Sequence, residues 1–507
     1  MNSSENKHTK KVFSNFISSV IFQITATIVG FVIPMFVMKQ YGAEIFGFST
    51  SVMAVVGGIN LLEIGLGSGL MQALFKPLHT DDGFQVNALL SRTKSFYNKT
   101  GLVIFLSAIV IAFGYSLSNS KASSFMELFL LALTLLSGSV FEYIFIGRFR
   151  VLLTSDEKVG ILINIQSGAL LIASTLRIVL MMLGFGVVLM QLIATSVYAL
   201  RAFIIMIYVK RKYPQVSYNT KKSEIKIESN SVIFHNISNL VVLNAPFLLL
   251  LLFTDLGTTS VFAVYAIVFN AISSILYATF SQASVASFGK VAINPDLKPL
   301  KESFSIFEFV FNIILFSAFV ITSSLIIDFV KLYSAGITSV NFFIPFIPIL
   351  FTIFGIIFAF RYTFITLVQA TGHFKETRTS VIIEMVLMVA ASAIGVFLFK
   401  IYGVFIGMIL SAIFRAIHLL WYVNIRILKQ SVFLSVKRLC INFAISVPIL
   451  WFFNTNHLFQ INGWVQLILF GAIQGVGIFV IYFIVNIVFE IKTLKTIFSF
   501  GKSLIKR

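Results

Sequence analysis

The chain has 507 residues, of which 58% are hydrophobic and only 11% are charged, and its formal net charge is +19. A soluble globular protein has about 25% charged residues, so this composition excludes an ordinary water-soluble fold. Cys440 is the single cysteine, which excludes an internal disulfide and argues against a zinc or iron–sulfur centre.

Long apolar runs follow one another along the whole chain. The hydrocarbon core of a bilayer requires about 20 apolar residues per helix, and by this criterion the sequence predicts an all-α integral membrane protein with about 14 transmembrane helices. Pro345 and Pro348 predict a distortion of the tenth helix. The predicted spans are 13–38, 45–72, 100–118, 124–147, 159–183, 187–209, 230–253, 259–285, 303–328, 341–370, 379–399, 403–425, 438–454 and 464–489.

Basic residues are concentrated in every second gap between these spans. The other gaps hold only single lysines, such as Lys39 and Lys400. This pattern follows the positive-inside rule and favours loop topology over nucleic-acid binding as the reason for the net charge. Both termini, with Lys7, Lys10, Lys11 and the basic segment 492–507, are predicted to be cytoplasmic. The basic gaps contain Lys76, Arg92, Lys94 and Lys99; Arg148, Arg150 and Lys158; Lys210, Arg211, Lys212, Lys221, Lys222 and Lys226; Lys290, Lys298 and Lys301; Lys375 and Arg378; and Arg426, Lys429, Lys437 and Arg438.

A weak internal repeat divides the chain. The segment 186–201 (GVVLMQLIATSVYALR) resembles 403–415 (GVFIGMILSAIFR), since each opens a sixth helix and places an arginine inside it. An even number of helices between the copies predicts parallel repeats. The predicted organisation is a six-helix bundle over 1–212, a second six-helix bundle over 213–430, and helices 13 and 14 with a basic cytoplasmic tail over 431–507.

Four arginines lie inside the predicted helices: Arg177, Arg201, Arg361 and Arg415. Arg415 is twelve residues into its helix, about 18 Å from the outer end. Because a charge at this depth normally faces a polar cavity, a cavity role is favoured over a structural charge. For Arg361 the alternative is that the side chain reaches the inner head groups. Guanidinium groups suit phosphate or carboxylate, to which they donate paired hydrogen bonds.

Two carboxylates, Glu63 and Glu142, lie in the inner halves of predicted helices 2 and 4. They could form salt bridges with Arg201, or they could be protonation sites that couple transport to an ion gradient. No metal site, catalytic residue or bound cofactor is expected, and a proton or sodium gradient is the candidate source of energy.

Three short motifs resemble those of a known transporter family: 41–47 (YGAEIFG), 62–67 (LEIGLG) and 367–375 (LVQATGHFK). With the helix number and loop pattern, they resemble polysaccharide or O-antigen flippases, which are Wzx-type oligosaccharide-lipid translocases. These belong to the multidrug/oligosaccharidyl-lipid/polysaccharide exporter superfamily. The resemblance implies two six-helix bundles around a cationic cavity, which Arg177, Arg201, Arg361 and Arg415 would line.

The same resemblance implies a transporter and not an enzyme. The expected activity is movement of a lipid-linked oligosaccharide, on undecaprenyl diphosphate, from the inner to the outer leaflet of the bacterial inner membrane by alternating access. The products would be O-antigen of lipopolysaccharide or capsule, and the partners would be membrane lipids, a glycan polymerase and chain-length machinery. The alternatives are a lipid II flippase, a cation-coupled multidrug antiporter and, less favoured, a membrane glycan polymerase or ligase.

Overall fold

A computed structural model describes residues 3–59, 82–119, 123–217, 230–455 and 461–491, together with positions 70, 71, 73, 74, 77, 78 and 80. Within these ranges, side chains are described from residue 17 onward except at positions 59, 230–233, 236 and 454. Glu63, the motif at 62–67, the terminal lysines 7, 10 and 11, and the basic segment 492–507 therefore lie outside the described side chains.

The described residues form the predicted all-α membrane fold. Twelve helices are long and apolar enough to span a bilayer, and two shorter apolar helices accompany them, which confirms a multi-pass membrane protein. The helices are α1 Ser3–Tyr41, α2 Ala43–Ile59, α3 Gly83–Ser118, α4 Phe125–Ser155, α5 Val159–Met182, α6 Val187–Lys212, α7 Asn230–Phe253, α8 Leu256–Ala292, α9 Lys298–Tyr333, α10 Ile347–Thr371, α11 Arg378–Phe399, α12 Ile401–Ile427, α13 Phe433–Thr455 and α14 Trp464–Phe489.

Several helix starts differ from the predicted spans, and those of α3 and α10 have a clear local cause. Helix α3 starts seventeen residues before the predicted span, at Gly83, because the side chain of Asp82 caps it by accepting a hydrogen bond from the Gln85 amide. Arg92 therefore lies on a helix and not in a loop. Helix α10 begins at Ile347, because Pro348 occupies its first turn, where proline is tolerated. The predicted proline distortion is thus a helix start.

Contacts group the chain into two compact units. The N-terminal unit comprises Met1–Leu251 and Asp255–Ser260, and the C-terminal unit comprises Leu252–Thr254 and Val261–Arg507. In the N-terminal unit, α1 packs on α2 and α5, α4 packs on α3 and α6, and α5 packs on α6. The sequence-based division at 212/213 and 430/431 stays a prediction.

The C-terminal unit is organised around the hairpin of α11 and α12 and the long helix α9. Three glycines bring the backbones of α11 and α12 together: a Cβ on Gly403 would lie 1.9 Å from the carbonyl of Gly395, and one on Gly407 would lie 2.1 Å from the Ser392 hydroxyl oxygen. Small residues at a helix interface permit such close packing within a membrane. Helix α12 also packs on α10, and α13 and α14 both pack on α9.

Candidate functional site

The C-terminal unit buries two arginines on a single carboxylate. Arg361 of α10 forms an ion pair with Oε1 of Glu384 on α11, and Nε of Arg415 on α12 lies 3.6 Å from Oε2 of the same carboxylate. All three side chains are at most 2% exposed. Among the described residues, two positive charges and one negative charge give this cluster an excess of one positive charge, which is costly within a bilayer.

Local structure holds both guanidinium groups in place. Arg361 lies at the break between two segments of α10, Ile347–Phe360 and Tyr362–Thr371, and its guanidinium carbon lies 3.8 Å from the centre of the Phe358 ring. Arg415 donates hydrogen bonds to the Ser380 hydroxyl and to the carbonyl of Thr377, the latter at 3.4 Å. The close α11–α12 hairpin therefore fixes the position of Arg415 relative to Glu384.

The N-terminal unit contains a second cluster of the same composition. Glu142 of α4 forms ion pairs with Arg150, on the same helix, and with Arg201 on α6. Glu142 opens a π-helical turn, Glu142–Ile146, that interrupts α4. The Arg201 side chain is 5% exposed, whereas Arg150 is 30% exposed. This cluster also has one net positive charge, but it is less completely buried than its counterpart.

Arg177 occupies a different position in the N-terminal unit. It lies on α5, and Tyr198 of α6 is its electrostatic neighbour. The same tyrosine ring lies 5.6 Å from the guanidinium carbon of Arg201. Within the described part of the chain, Arg177 forms no ion pair. The structure thus places Arg177 close to the ring contacted by Arg201, whereas Arg361 and Arg415 share a separate cluster.

Two members of these clusters carry little signal in the sequence. Glu384 lies near the start of a predicted helix, where its position does not indicate how deep it is in the membrane. Arg150 belongs to a basic gap in the sequence, but α4 continues to Ser155 and places it within the helix. The sequence signal for a carboxylate partner is the arginine inside each sixth helix, Arg201 and Arg415, since an unpaired buried arginine is strongly unfavourable.

The clusters provide arginine donors without a metal centre. Among the side chains that the structure describes, no three His, Cys, Asp or Glu residues converge as metal ligands. Each cluster has a carboxylate that forms ion pairs with two guanidinium groups, and guanidinium groups bind phosphate through paired, charge-assisted hydrogen bonds. The arrangement is therefore chemically suited to binding an anion at the guanidinium groups, either in place of the carboxylate or beside it.

The geometry defines a multi-pass helical membrane protein with two compact units, each holding an arginine–carboxylate cluster, fully buried in the C-terminal unit and partly buried in the N-terminal unit. Comparison with solved structures shows the fold. The chain is similar to an inward-facing multidrug resistance transporter of the MATE family in the MOP superfamily, with a TM-score of 0.55 and 17% identity over 80% of this chain and 95% of that chain.

Two further structures show the same fold. One is MATE in complex with MaD3S, with a TM-score of 0.53 and 14% identity over 83% of this chain and 97% of that one. The other is the lipid II flippase MurJ in an inward closed conformation, with a TM-score of 0.58 and 14% identity over 94% of this chain and 100% of that one. No family model matches the sequence, and no curated protein matches it. The chain has the fold of MOP-superfamily transporters.

Proposed function

We propose that the protein is a flippase that moves a lipid-linked oligosaccharide, on undecaprenyl diphosphate, from the inner to the outer leaflet by alternating access. The observation that supports this function is the excess of arginine over carboxylate, among the described residues, in the clusters around Glu142 and Glu384. A buried charge costs about 2.5–3.5 kcal/mol on insertion scales. Because arginines inside the membrane have this free-energy cost, their presence favours a function that requires them, such as binding an anionic head group.

The chemistry of the clusters favours a diphosphate substrate. In the C-terminal cluster, Glu384 uses one oxygen for each of Arg361 and Arg415, so neither guanidinium is paired with a full carboxylate. Guanidinium N–H donors suit the several oxygen acceptors of a diphosphate. A cationic drug would be repelled by this charge, which argues against a multidrug antiporter.

Lipid II transport is the second candidate function. The likeness to MurJ extends over 94% of this chain, compared with 80% and 83% for the two MATE structures. A lipid II flippase and an O-antigen or capsule flippase share the diphosphate chemistry and differ in the sugar. We favour surface-polysaccharide assembly on the three motifs found in the sequence, with a glycan polymerase and chain-length machinery as proposed partners. The proposed site of action is the bacterial inner membrane, with both termini cytoplasmic.

The test is a flipping assay with purified protein in liposomes. Fluorescent substrates with a diphosphate, a monophosphate or a neutral linkage are compared, and the label in the outer leaflet is quenched chemically. We expect the diphosphate-linked oligosaccharide to move fastest, because it accepts the most hydrogen bonds from arginine. Equal rates for the neutral glycolipid would contradict the proposal. Faster movement of lipid II than of other diphosphate-linked oligosaccharides would select the second candidate.

Arg415→Gln tests the residue with the deepest predicted position. Loss of one charge-assisted hydrogen bond costs about 1.5–3 kcal/mol, so we expect flipping to fall by roughly ten- to a hundredfold at unchanged protein level. Arg426→Gln is the matched control, because Arg426 lies on the same helix but is exposed. If both variants flip at the wild-type rate, Arg415 does not bind the substrate. Incubation with lipid-linked sugar also tests for new glycosidic bonds, which would indicate a polymerase.

A further inference from the structure

A third buried cluster lies in the C-terminal unit and has the opposite charge balance. The guanidinium of Arg438 on α13 donates to both oxygens of Glu490, at 2.8 and 2.7 Å, and to Oε2 of Glu308 on α9 at 2.7 Å. A further bond of 3.0 Å joins it to the Ser305 hydroxyl. Arg438 is 1% exposed, Glu308 2% and Glu490 7%. Among the described residues, one arginine thus faces two carboxylates.

The two carboxylates differ in how well they are satisfied. Glu490 accepts hydrogen bonds from Arg438 through both oxygens, so each of its oxygens has a charged donor. Glu308 accepts from Arg438 through Oε2, whereas its Oε1 is buried without a hydrogen-bond partner. A bare, ionised carboxylate oxygen in a dry interior is energetically unfavourable. Glu308 is therefore the member of the pair that gains most from taking up a proton.

An acceptor for that proton lies one helical turn away. Asn312 is 1% exposed, and both of its side-chain amide atoms are buried without a hydrogen-bond partner. Residues four apart on a helix share one face, with their Cβ atoms about 5–6 Å apart. A protonated Glu308 can donate from Oε1 to the amide oxygen of Asn312 while Oε2 still accepts from Arg438. One proton would then give a partner to Glu308 Oε1 and to the amide oxygen of Asn312, and it would neutralise the cluster.

The surroundings of Glu308 contain few other charges. The charged groups that face it are Arg438 of α13 and Glu490 at the end of α14, and Ser435 is its polar neighbour on α13. Beyond the cluster, Asn442 and Asn486 exchange two hydrogen bonds of 3.2 and 2.9 Å between α13 and α14. This pair of asparagines is neutral and leaves the net charge of the cluster unchanged. It holds the two helices in register, and so keeps Arg438 and Glu490 in place.

We propose that Glu308, held between Arg438 and Asn312, is a reversible proton-binding site of this protein. The site is separate from the arginine-rich clusters around Glu142 and Glu384, where two guanidinium groups lie against each carboxylate. Arg438 is near the start of α13 and Glu490 caps the end of α14. Water at this end of the two helices is the source of the proton. The inference depends on local charge and hydrogen bonding and does not require the proposed substrate.

Infrared difference spectroscopy of the purified full chain in lipid nanodiscs tests the site without any substrate. A protonated carboxylic acid has a carbonyl stretch that is absent from carboxylates and that shifts in heavy water. We expect the wild-type protein to show such a band, equivalent to one carboxyl group per chain, and to lose it as pH rises. Glu308→Gln removes the band and keeps the fold, because glutamine can accept from Arg438 and donate to Asn312.

Two further variants make the assignment specific. Glu302→Gln is the matched control, since Glu302 lies on α9 but is exposed, and it should leave the buried band unchanged. Asn312→Leu removes the acceptor and should shift the frequency of the band. The proposal is overturned if the wild-type protein lacks a protonated-carboxyl band at every pH at which it is folded. It is also overturned if the band survives in Glu308→Gln or disappears in Glu302→Gln. An unshifted band in Asn312→Leu would refute the role of Asn312.

Discussion

Replacing Glu384 by glutamine tests the arginine cluster of the C-terminal unit directly. The substitution keeps the size of the side chain and removes the negative charge that Arg361 and Arg415 share. The net charge of the cluster rises from one to two in a region where each side chain is at most 2% exposed. Neither guanidinium has bulk water to replace the lost partner.

The expected loss of stability follows from this burial. Removing one partner of a buried ion pair costs about 3–5 kcal/mol. If 1 kcal/mol shifts the melting temperature of a unit of this size by about 2–4 °C, Glu384→Gln should lower it by roughly 6–20 °C. Arg415 retains its bonds to the Ser380 hydroxyl and the Thr377 carbonyl, so Arg361 should account for most of the loss.

Thermal unfolding of the purified protein in detergent, followed by fluorescence-detected size exclusion, measures this shift. Glu376→Gln is the control, because Glu376 is exposed in the turn before α11, and exposed substitutions usually change stability by less than about 0.5 kcal/mol. The double variant Glu384→Gln with Arg361→Met should regain part of the lost stability, since it removes one uncompensated charge. Equal melting temperatures for Glu384→Gln and Glu376→Gln would refute the assigned ion pairs.

Three further changes probe other parts of the structure by the same unfolding assay. Gly403→Val should destabilise the protein by at least about 3 kcal/mol, because the valine side chain would overlap the backbone of α11. Gly477→Ala is the control and should be neutral, since a Cβ at that position has no neighbour within 4 Å. A stable Gly403→Val protein would contradict the close α11–α12 contact. Tyr482→Phe should cost about 1 kcal/mol by removing the 2.6 Å hydrogen bond to Ser446, and no change in melting temperature would show that this bond adds nothing. Arg201→Met should lower the free energy of unfolding by about 1–3 kcal/mol. This is less than the loss expected for Glu384→Gln, because the Glu142 carboxylate that loses its partner is 19% exposed. A larger loss would contradict the partial exposure of the N-terminal cluster.

The helices were largely predictable because the bilayer imposes a local rule. A run of about 20 apolar residues must form its backbone hydrogen bonds within itself, whatever it packs against. The prediction of 464–489 matches α14, Trp464–Phe489, and that of 159–183 matches α5, Val159–Met182. The early start of α3 was missed because polar helix turns outside the apolar run have no hydropathy signal.

The arginines of the candidate site were also visible in the sequence, because a charge within an apolar run is conspicuous. Their partners were not. Glu384 is 23 residues from Arg361, and Glu308 is 130 residues from Arg438. Sequence separation of this size contains no information about which two side chains meet, since that depends on how the helices pack.

The sequence by itself determined a multi-pass helical membrane protein with several arginines inside its spans, because helix formation in lipid depends on local composition. Only the tertiary structure decided how those charges are compensated. Helix packing gives Glu384 two arginines and gives Arg438 two carboxylates, and so produces clusters of opposite net charge from the same residue types. The physical reason is that electrostatic energy depends on distance and burial in space, neither of which is local in the chain.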